Sequence, residues 1–177
     1  MNTFRFKVLL SGEAAVGKTS ILHRFVHNKF QGHYTSTIGL DFMSKVLNYN
    51  SDTCRLTIWD LAGQKRFSFM RKNFYGGANG ALIIFDLTRA ETFERVEDWY
   101  AEMIDIADKK VPFILIGNKT DLIPEVGRAI EPEMARSYAQ ERGCIYMESS
   151  AKTGESIEQA FFELTELMVK KKYEQVQ

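Results

Sequence analysis

Four short runs place binding and reactive residue types at spacings suited to chemistry. The first reads Gly12-Glu13-Ala14-Ala15-Val16-Gly17-Lys18-Thr19-Ser20. Its two glycines let the backbone curl until several N–H groups point inward at an anion. A helix opening near Lys18 adds its positive end. Lys18 supplies a point charge for outer phosphates, and the Thr19 hydroxyl suits Mg²⁺. An ordinary glycine turn is the alternative, but average residue usage produces the full Gly-x-x-x-x-Gly-Lys-Thr pattern by chance in roughly one chain of this length in two hundred.

The second run is Asp60-Leu61-Ala62-Gly63-Gln64, directly after an apolar stretch ending at Trp59. An aspartate at a strand end can hold Mg²⁺ through water, opposite Thr19. Gly63 lets a backbone N–H approach a terminal phosphate. The Gln64 amide both donates and accepts, so it can orient an attacking water. The third run is Asn118-Lys119-Thr120-Asp121. A carboxylate there accepts hydrogen bonds from the N1–H and 2-amino groups of guanine. Adenine offers neither donor, so Asp121 would select guanine as a pocket rejects a ligand that strands its polar groups. Asn118 would brace neighbouring loops, and the Lys119 stem would lie along the base. The fourth run is Ser149-Ser150-Ala151-Lys152. There the Ala151 N–H would meet guanine O6 and Lys152 would cover the other face of the base. The last three runs, each alone, fit plain turns. Downstream of the first, they do not.

These runs need a scaffold that ends strands beside one another. Three apolar runs, Phe6 to Leu10, Ala81 to Phe85 and Phe113 to Ile116, do not alternate, so both faces are expected to be buried, as in a parallel sheet. Helical patterns separate them. Phe93, Val96, Tyr100, Met103, Ile104 and Ala107 fall at helix spacing, as do Ile157, Ala160, Phe161, Leu164 and Met168. Pro132 reads as a first-turn proline of a helix over Glu131 to Arg142, with Gly143 as its stop. In Asp41 to Trp59, Leu56 and Ile58 alternate with Arg55, Thr57 and Trp59, and Tyr49 to Asp52 looks like a turn. This is an antiparallel hairpin with one wet face, at a sheet edge. Alternating strand and helix gives one α/β domain over residues 1–177.

Lys plus Arg equals Asp plus Glu, 23 each, so the formal net charge is zero and no nucleic-acid partner is expected. The Lys170-Lys171-Lys172 run is read as the complement of a helix C-terminus, with contact to anionic lipid as the alternative. Cys54 and Cys144 match no metal spacing and are expected to be buried free thiols of a reducing compartment. The first residues lack the apolar core of a signal peptide, and no apolar run approaches a membrane span. A cytoplasmic, monomeric protein is expected.

The four motifs, in this order and spacing, resemble those of the Ras-like small GTPases, from Phe6 to about Tyr173. Within that superfamily the chain looks most like the Rab branch. The similarity lies in Ser36-Thr37-Ile38-Gly39-Leu40-Asp41-Phe42, Arg55-Leu56-Thr57-Ile58-Trp59, Gln64-Lys65-Arg66-Phe67, Phe74-Tyr75-Gly76-Gly77-Ala78 and Ile84-Phe85-Asp86-Leu87-Thr88. The resemblance implies a P-loop GTPase fold: a mostly parallel six-stranded sheet with one antiparallel edge strand and helices on both faces. It implies a GTP/GDP molecular switch that hydrolyses GTP slowly with Mg²⁺. Nucleotide contacts would come from Gly12 through Ser20, Phe30, Tyr34, Thr37, Gly63, Asn118, Lys119, Asp121, Leu122, Ser150, Ala151 and Lys152. Thr19, Thr37 and Asp60 would hold the metal, with Gln64 and Lys18 catalytic. Thr37 resembles the switch I threonine that senses the γ-phosphate, Phe30 an aromatic edge-on to guanine, and Tyr34 one that closes over the phosphates. Phe42, Trp59 and Phe74 fall where Rabs carry an aromatic triad read by effectors, beside surfaces for exchange factors and activating proteins.

Departures also carry expectations. Ala14 and Ala15 stand where Ras proteins carry glycines, Lys65 replaces a usual acidic residue, and Leu61 a usual threonine. Ser68 to Lys72 match the Rab pattern poorly. Tyr173 to Gln177 contain no cysteine, so no prenyl anchor is expected on the chain as given. Recruitment to membrane surfaces in trafficking or related signalling is the implied setting. A GTP-binding scaffold with negligible turnover and a small-molecule kinase are the competing readings. The kinase leaves Asn118 and Asp121 unexplained.

Overall fold

The apolar runs become strands because their neighbours bury both faces. Leu10 and Val8 pack with Leu82 and Ile84 on one side, and Leu9 with Ala81, Ile83 and Phe85 on the other. The computed structural model describes residues 2–30, 32, 37, 39–63, 68–107 and 111–175, apart from the side chains of 68–70 and 72. In chain order these form β1 (Thr3–Ser11), α1 (Lys18–His27), β2 (Leu40–Tyr49), β3 (Asp52–Leu61), α2 (Ser68–Tyr75), β4 (Gly80–Asp86), α3 (Ala90–Glu94) and α4 (Val96–Ala107). There follow β5 (Phe113–Asn118), a 3₁₀ turn (Thr120–Leu122), α5 (Ile123–Val126), α6 (Pro132–Arg142), β6 (Ile145–Ser149) and α7 (Ile157–Glu174).

The sheet has six strands in the order β2-β3-β1-β4-β5-β6. β1 runs parallel to β3 and β4, β5 parallel to β4 and β6, and edge strand β2 antiparallel to β3. This is the expected sheet. The β2–β3 hairpin turns at Asn50, whose φ of 54° is one that asparagine tolerates. Helices α1 and α7 cover one face, with Phe25 stacked on Phe161 at 3.8 Å. Tyr75 of α2, Trp99 and Met103 of α4 and Ala135 of α6 cover the other.

Three expectations are corrected. The helical pattern from Phe93 to Ala107 breaks at Arg95, separating α3 from α4. The break leaves Val96, Trp99 and Met103 as the buried stripe of α4. Cys54 is buried, but Cys144 precedes β6 and is only half-buried. Trp59 is not on a fully wet face: it is half-buried between Phe42 at 5.3 Å and Phe74 at 5.7 Å. Phe42 itself is 57% exposed. Periodicity also does not announce α2 or the short α5, because neither offers enough turns to establish a repeat.

Candidate active site

Parallel strands end on one rim, so the loops after β1, β3, β4, β5 and β6 meet there. Register aligns them: Leu10 lies opposite Asp60, Asp86 opposite Asn118, and Asn118 opposite Ser149. All four motifs surround a cavity of about 560 Å³, which suits a nucleotide-sized ligand.

The loop from Gly12 to Gly17 enters α1 through Gly17, whose φ is 102°. A Cβ there would sit 2.4 Å from Asn118 Nδ2, so the position takes only glycine. No side chain caps α1, so its first N–H groups face the cavity with the positive end of the helix. Lys18 is 6% exposed and donates from Nζ to the carbonyls of Gly12 and Glu13, both at 2.8 Å. Burial pushes its ammonium down to about 8, while Asp60 and Glu13 oppose the fall. An anion in the cavity would restore the charged form. Gly63 presses onto this loop: a Cβ there would meet the Gly12 carbonyl oxygen at 2.5 Å and the Ala14 nitrogen at 2.7 Å. Val16 is buried in the core, and Glu13 Oε2 lies 3.6 Å from Arg95 Nε, so both residues join the loop through their backbone. Ser20 lines the cavity beside Thr19.

Three oxygen-bearing side chains gather beside Lys18. Thr19 Oγ1 lies 2.8 Å from Thr37 Oγ1, and both hydroxyls hydrogen-bond Asp60 Oδ2, that of Thr37 at 3.5 Å. Asp60 is fully buried, which raises its pKa although Thr19 and Lys18 lower it. Its Oδ1 has no hydrogen-bond partner among the described residues. A buried carboxylate oxygen left bare is costly unless a cation completes it. One carboxylate with two hydroxyls fits Mg²⁺, which keeps water and phosphate as its remaining ligands.

The other end of the cavity is braced by polar contacts. Asn118, 1% exposed, donates from Nδ2 to the Val16 carbonyl at 2.9 Å. Its Oδ1 accepts from Ser149 Oγ at 3.1 Å and from the Ala151 N–H at 3.3 Å. Lys119 Nζ lies 2.7 Å from Asp86 Oδ2 and donates to the Ala15 carbonyl at 2.8 Å. Burial opposes ionisation of Asp86, but hydrogen bonds from Lys119 and Thr88 outweigh it and hold its carboxyl below the usual range. Ser150 Oγ donates to Asp121 Oδ1 at 2.6 Å, and Asp121 lines the cavity together with Leu122, Ala151, Lys152 and Phe30. Ser150 is buried and orients Asp121 rather than lining the space.

Tyr34 and Gln64 lie outside the described residues. The remaining expected residues surround the cavity or brace those that do. Sequence reasoning missed Gly32 and Ala62, which line it, and Asp86, Arg24 and Arg89, which hold its loops. Asp86 stands in a segment quoted for the resemblance, and its position at a strand end was the available signal. Arg24 and Arg89 carried none.

The model of the Ras family matches residues 7–170. Ras-related protein Rab-4B of Rattus norvegicus is 40% identical over 168 residues, 95% of this chain and 78% of that protein. RABA2a of Arabidopsis thaliana is 42% identical over 158 residues, 89% of this chain and 72% of that protein. GTP-binding protein YPTM1 of Zea mays is 38% identical over 169 residues, 96% of this chain and 80% of that protein. With the cavity and the sheet already on the rim where such motifs converge, the chain belongs to the Ras family, as a Rab-like small GTPase.

Proposed function

We propose that this chain is a GTP/GDP switch whose slow hydrolysis runs in the cavity just described, with the base held by Asp121 and the phosphates by the loop from Gly12 to Ser20. One observation carries the reading. A single cavity joins a buried cation, two hydroxyls bonded to a carboxylate whose other oxygen is bare, and a braced carboxylate at its far end. Phosphate, Mg²⁺ and guanine are the ligands those groups fit. Phe30 and Lys152 flank the base, and Asn118, Lys119 and Ser150 hold its loops.

Thr19, Thr37 and Asp60 would hold Mg²⁺, which would supply positive charge against the β- and γ-phosphates. In hydrolysis the water oxygen bonds to the γ-phosphorus as the bond to the β–γ bridging oxygen breaks. GDP leaves, and the water proton passes to the released phosphate. Lys18 and the inward N–H groups take the charge that develops on the bridging and γ-oxygens. Gln64 orients the water. Thr37 and Gly63 come from the two segments that contact the γ-phosphate end, so loss of that phosphate releases both. Phe42, Trp59 and Phe74, stacked in a row beside these segments, form a surface for effectors and regulators. Among the described residues no helix is long and apolar enough to cross a membrane. Recruitment to membrane surfaces would place the switch in trafficking or related signalling.

The test is the nucleotide that copurifies, identified after denaturation, followed by single-turnover GTP hydrolysis. Guanine nucleotide, with turnover on the order of 10⁻⁴ to 10⁻² per second, is expected. Gln64→Leu should lower that rate while affinity stays nearly intact. ATP competing as well as GDP does would refute the base site. Bound GTP that never turns over would leave a scaffold.

A further inference from the structure

Arg24 of α1 sends its guanidinium across to a loop 127 residues further along the chain. Nε donates to the Ala151 carbonyl at 2.8 Å and Nη2 to the Lys152 carbonyl at 2.6 Å. Nη1 donates to the Asn28 carbonyl and to Asn28 Oδ1, each at 3.2 Å. The Asn28 N–H in turn donates to the Arg24 carbonyl at 2.9 Å, closing α1 with Asn28 in the left-handed region at φ 53°. Two residues later stands Phe30, on the cavity. Ala151 and Lys152 line the same end. One planar fork thus ties two walls that share no strand: the exit of α1 leading to Phe30, and the loop after β6.

We infer that Arg24 is a positioning residue that sets how long the guanine nucleotide stays bound, by holding the two walls of the base pocket at a fixed separation. It is not among the residues that line the cavity. Its donors all go to carbonyl oxygens and one amide oxygen, which a lysine cannot satisfy together because its donors radiate from a single point. Release of the base requires these walls to part, so the clamp resists dissociation. The chemistry lies at the opposite end of the cavity, where Lys18 and Asp60 stand. Removing the clamp should therefore shorten residence far more than it slows hydrolysis. The inference rests on the base site proposed above.

The experiment measures release of a fluorescent GDP analogue and single-turnover GTP hydrolysis for the unmutated chain, Arg24→Ala, Arg24→Lys and Asn28→Gly. Release should quicken at least tenfold in Arg24→Ala and several-fold in Arg24→Lys. Asn28→Gly keeps the left-handed turn, loses the amide oxygen, and should show a smaller rise. Hydrolysis of prebound GTP should change less than threefold. Release within twofold of the unmutated chain in Arg24→Ala overturns the clamp. So does a fall in hydrolysis that matches the rise in release, since that is general loosening. Should Arg24→Ala fail to fold, Arg24→Lys and Asn28→Gly decide by the same criteria. ATP competition on the unmutated chain separates the two failures. Poor guanine selectivity sinks the base site, whereas intact selectivity with unchanged release sinks only the clamp.

Discussion

Asn118→Ala offers a quantitative check on how the loops are joined. Asn118 makes three buried hydrogen bonds, to Val16 in the loop after β1, to Ser149 at the end of β6 and to Ala151 in the loop after it. Each is worth about 1 kcal/mol net, and a buried group left without its partner costs about 1–3 kcal/mol. The Ser149 hydroxyl can rotate, but the Val16 carbonyl and the Ala151 N–H are fixed by the backbone. Truncation should therefore cost about 3–5 kcal/mol in total, or a fall in Tm of roughly 6–20 °C for a chain of this size. Ser149→Ala, which removes one bond and leaves Asn118 Oδ1 its second donor, should cost about 1 kcal/mol. Urea unfolding at a series of GDP concentrations, extrapolated to none, separates this loss from weakened binding, because ligand adds stability by mass action. If Asn118→Ala costs no more than Ser149→Ala, the three loops are held by packing and the bracing role is wrong.

Asp121→Asn should weaken GTP binding and favour xanthine nucleotides, whose 2-position carries an acceptor; competition titration reads the exchange of preference. Thr19→Asn should lose the metal contact and bias the protein to GDP or an empty site, and chelating Mg²⁺ should speed nucleotide release from the unmutated chain. Release unaffected by a chelator would remove the metal role from Thr19, Thr37 and Asp60. Burial of Lys18 gives a pH signature: its ammonium is held at about 8 in the folded, nucleotide-free chain, well below its unfolded value. The unfolded state then binds more protons between those values, so nucleotide-free stability should rise as pH climbs above about 8. GDP affinity should fall over pH 7.5 to 8.5 for the same reason, and calorimetry in buffers of different ionisation heat should show proton uptake on binding.

Much of the fold was legible because the strands that carry the site are buried on both faces. Leu9 and Leu10 each need an apolar neighbour in opposite directions, and that requirement writes an unbroken apolar run. The motifs were legible for a related reason: they follow those runs directly, so their rim position follows from a parallel sheet. What stayed hidden depends on contacts between distant segments. The resemblance grouped Phe42, Trp59 and Phe74, but nothing near Trp59 in sequence announces that the other two cover it. The break at Arg95 keeps the helical spacing of apolar residues on either side, so periodicity passes over it. Arg24 looks like a solvated helix residue until the Ala151 loop arrives. Glu13 and Ser150 fall within recognisable motifs, yet their side chains serve Arg95 and Asp121, a division of labour that spacing cannot express.

The alanines of the phosphate loop pose the last question: how the loop keeps its shape without the glycines of Ras proteins. Ala15 sits at φ 64°, a region that costs a residue with a Cβ about 1–2 kcal/mol. The carbonyls of the loop supply an answer. Those of Gly12 and Glu13 accept from Lys18, that of Ala14 from Arg89 at 3.5 Å, that of Ala15 from Lys119 and that of Val16 from Asn118. Gly17 then accepts from the Ile21 N–H at 2.9 Å as α1 begins. Six successive carbonyls thus have donors, four of the first five from cationic side chains. At about 1 kcal/mol or more each, these bonds outweigh the strain at Ala15. With the carbonyls engaged, the Ala15 peptide cannot flip to relieve φ without losing its bond from Lys119. The N–H groups are left to converge on the cavity, where an anion is the partner they lack. The loop is shaped from outside by side chains of α1 and the ends of β4 and β5, and its methyl groups are tolerated because the backbone conformation was never left to glycine alone.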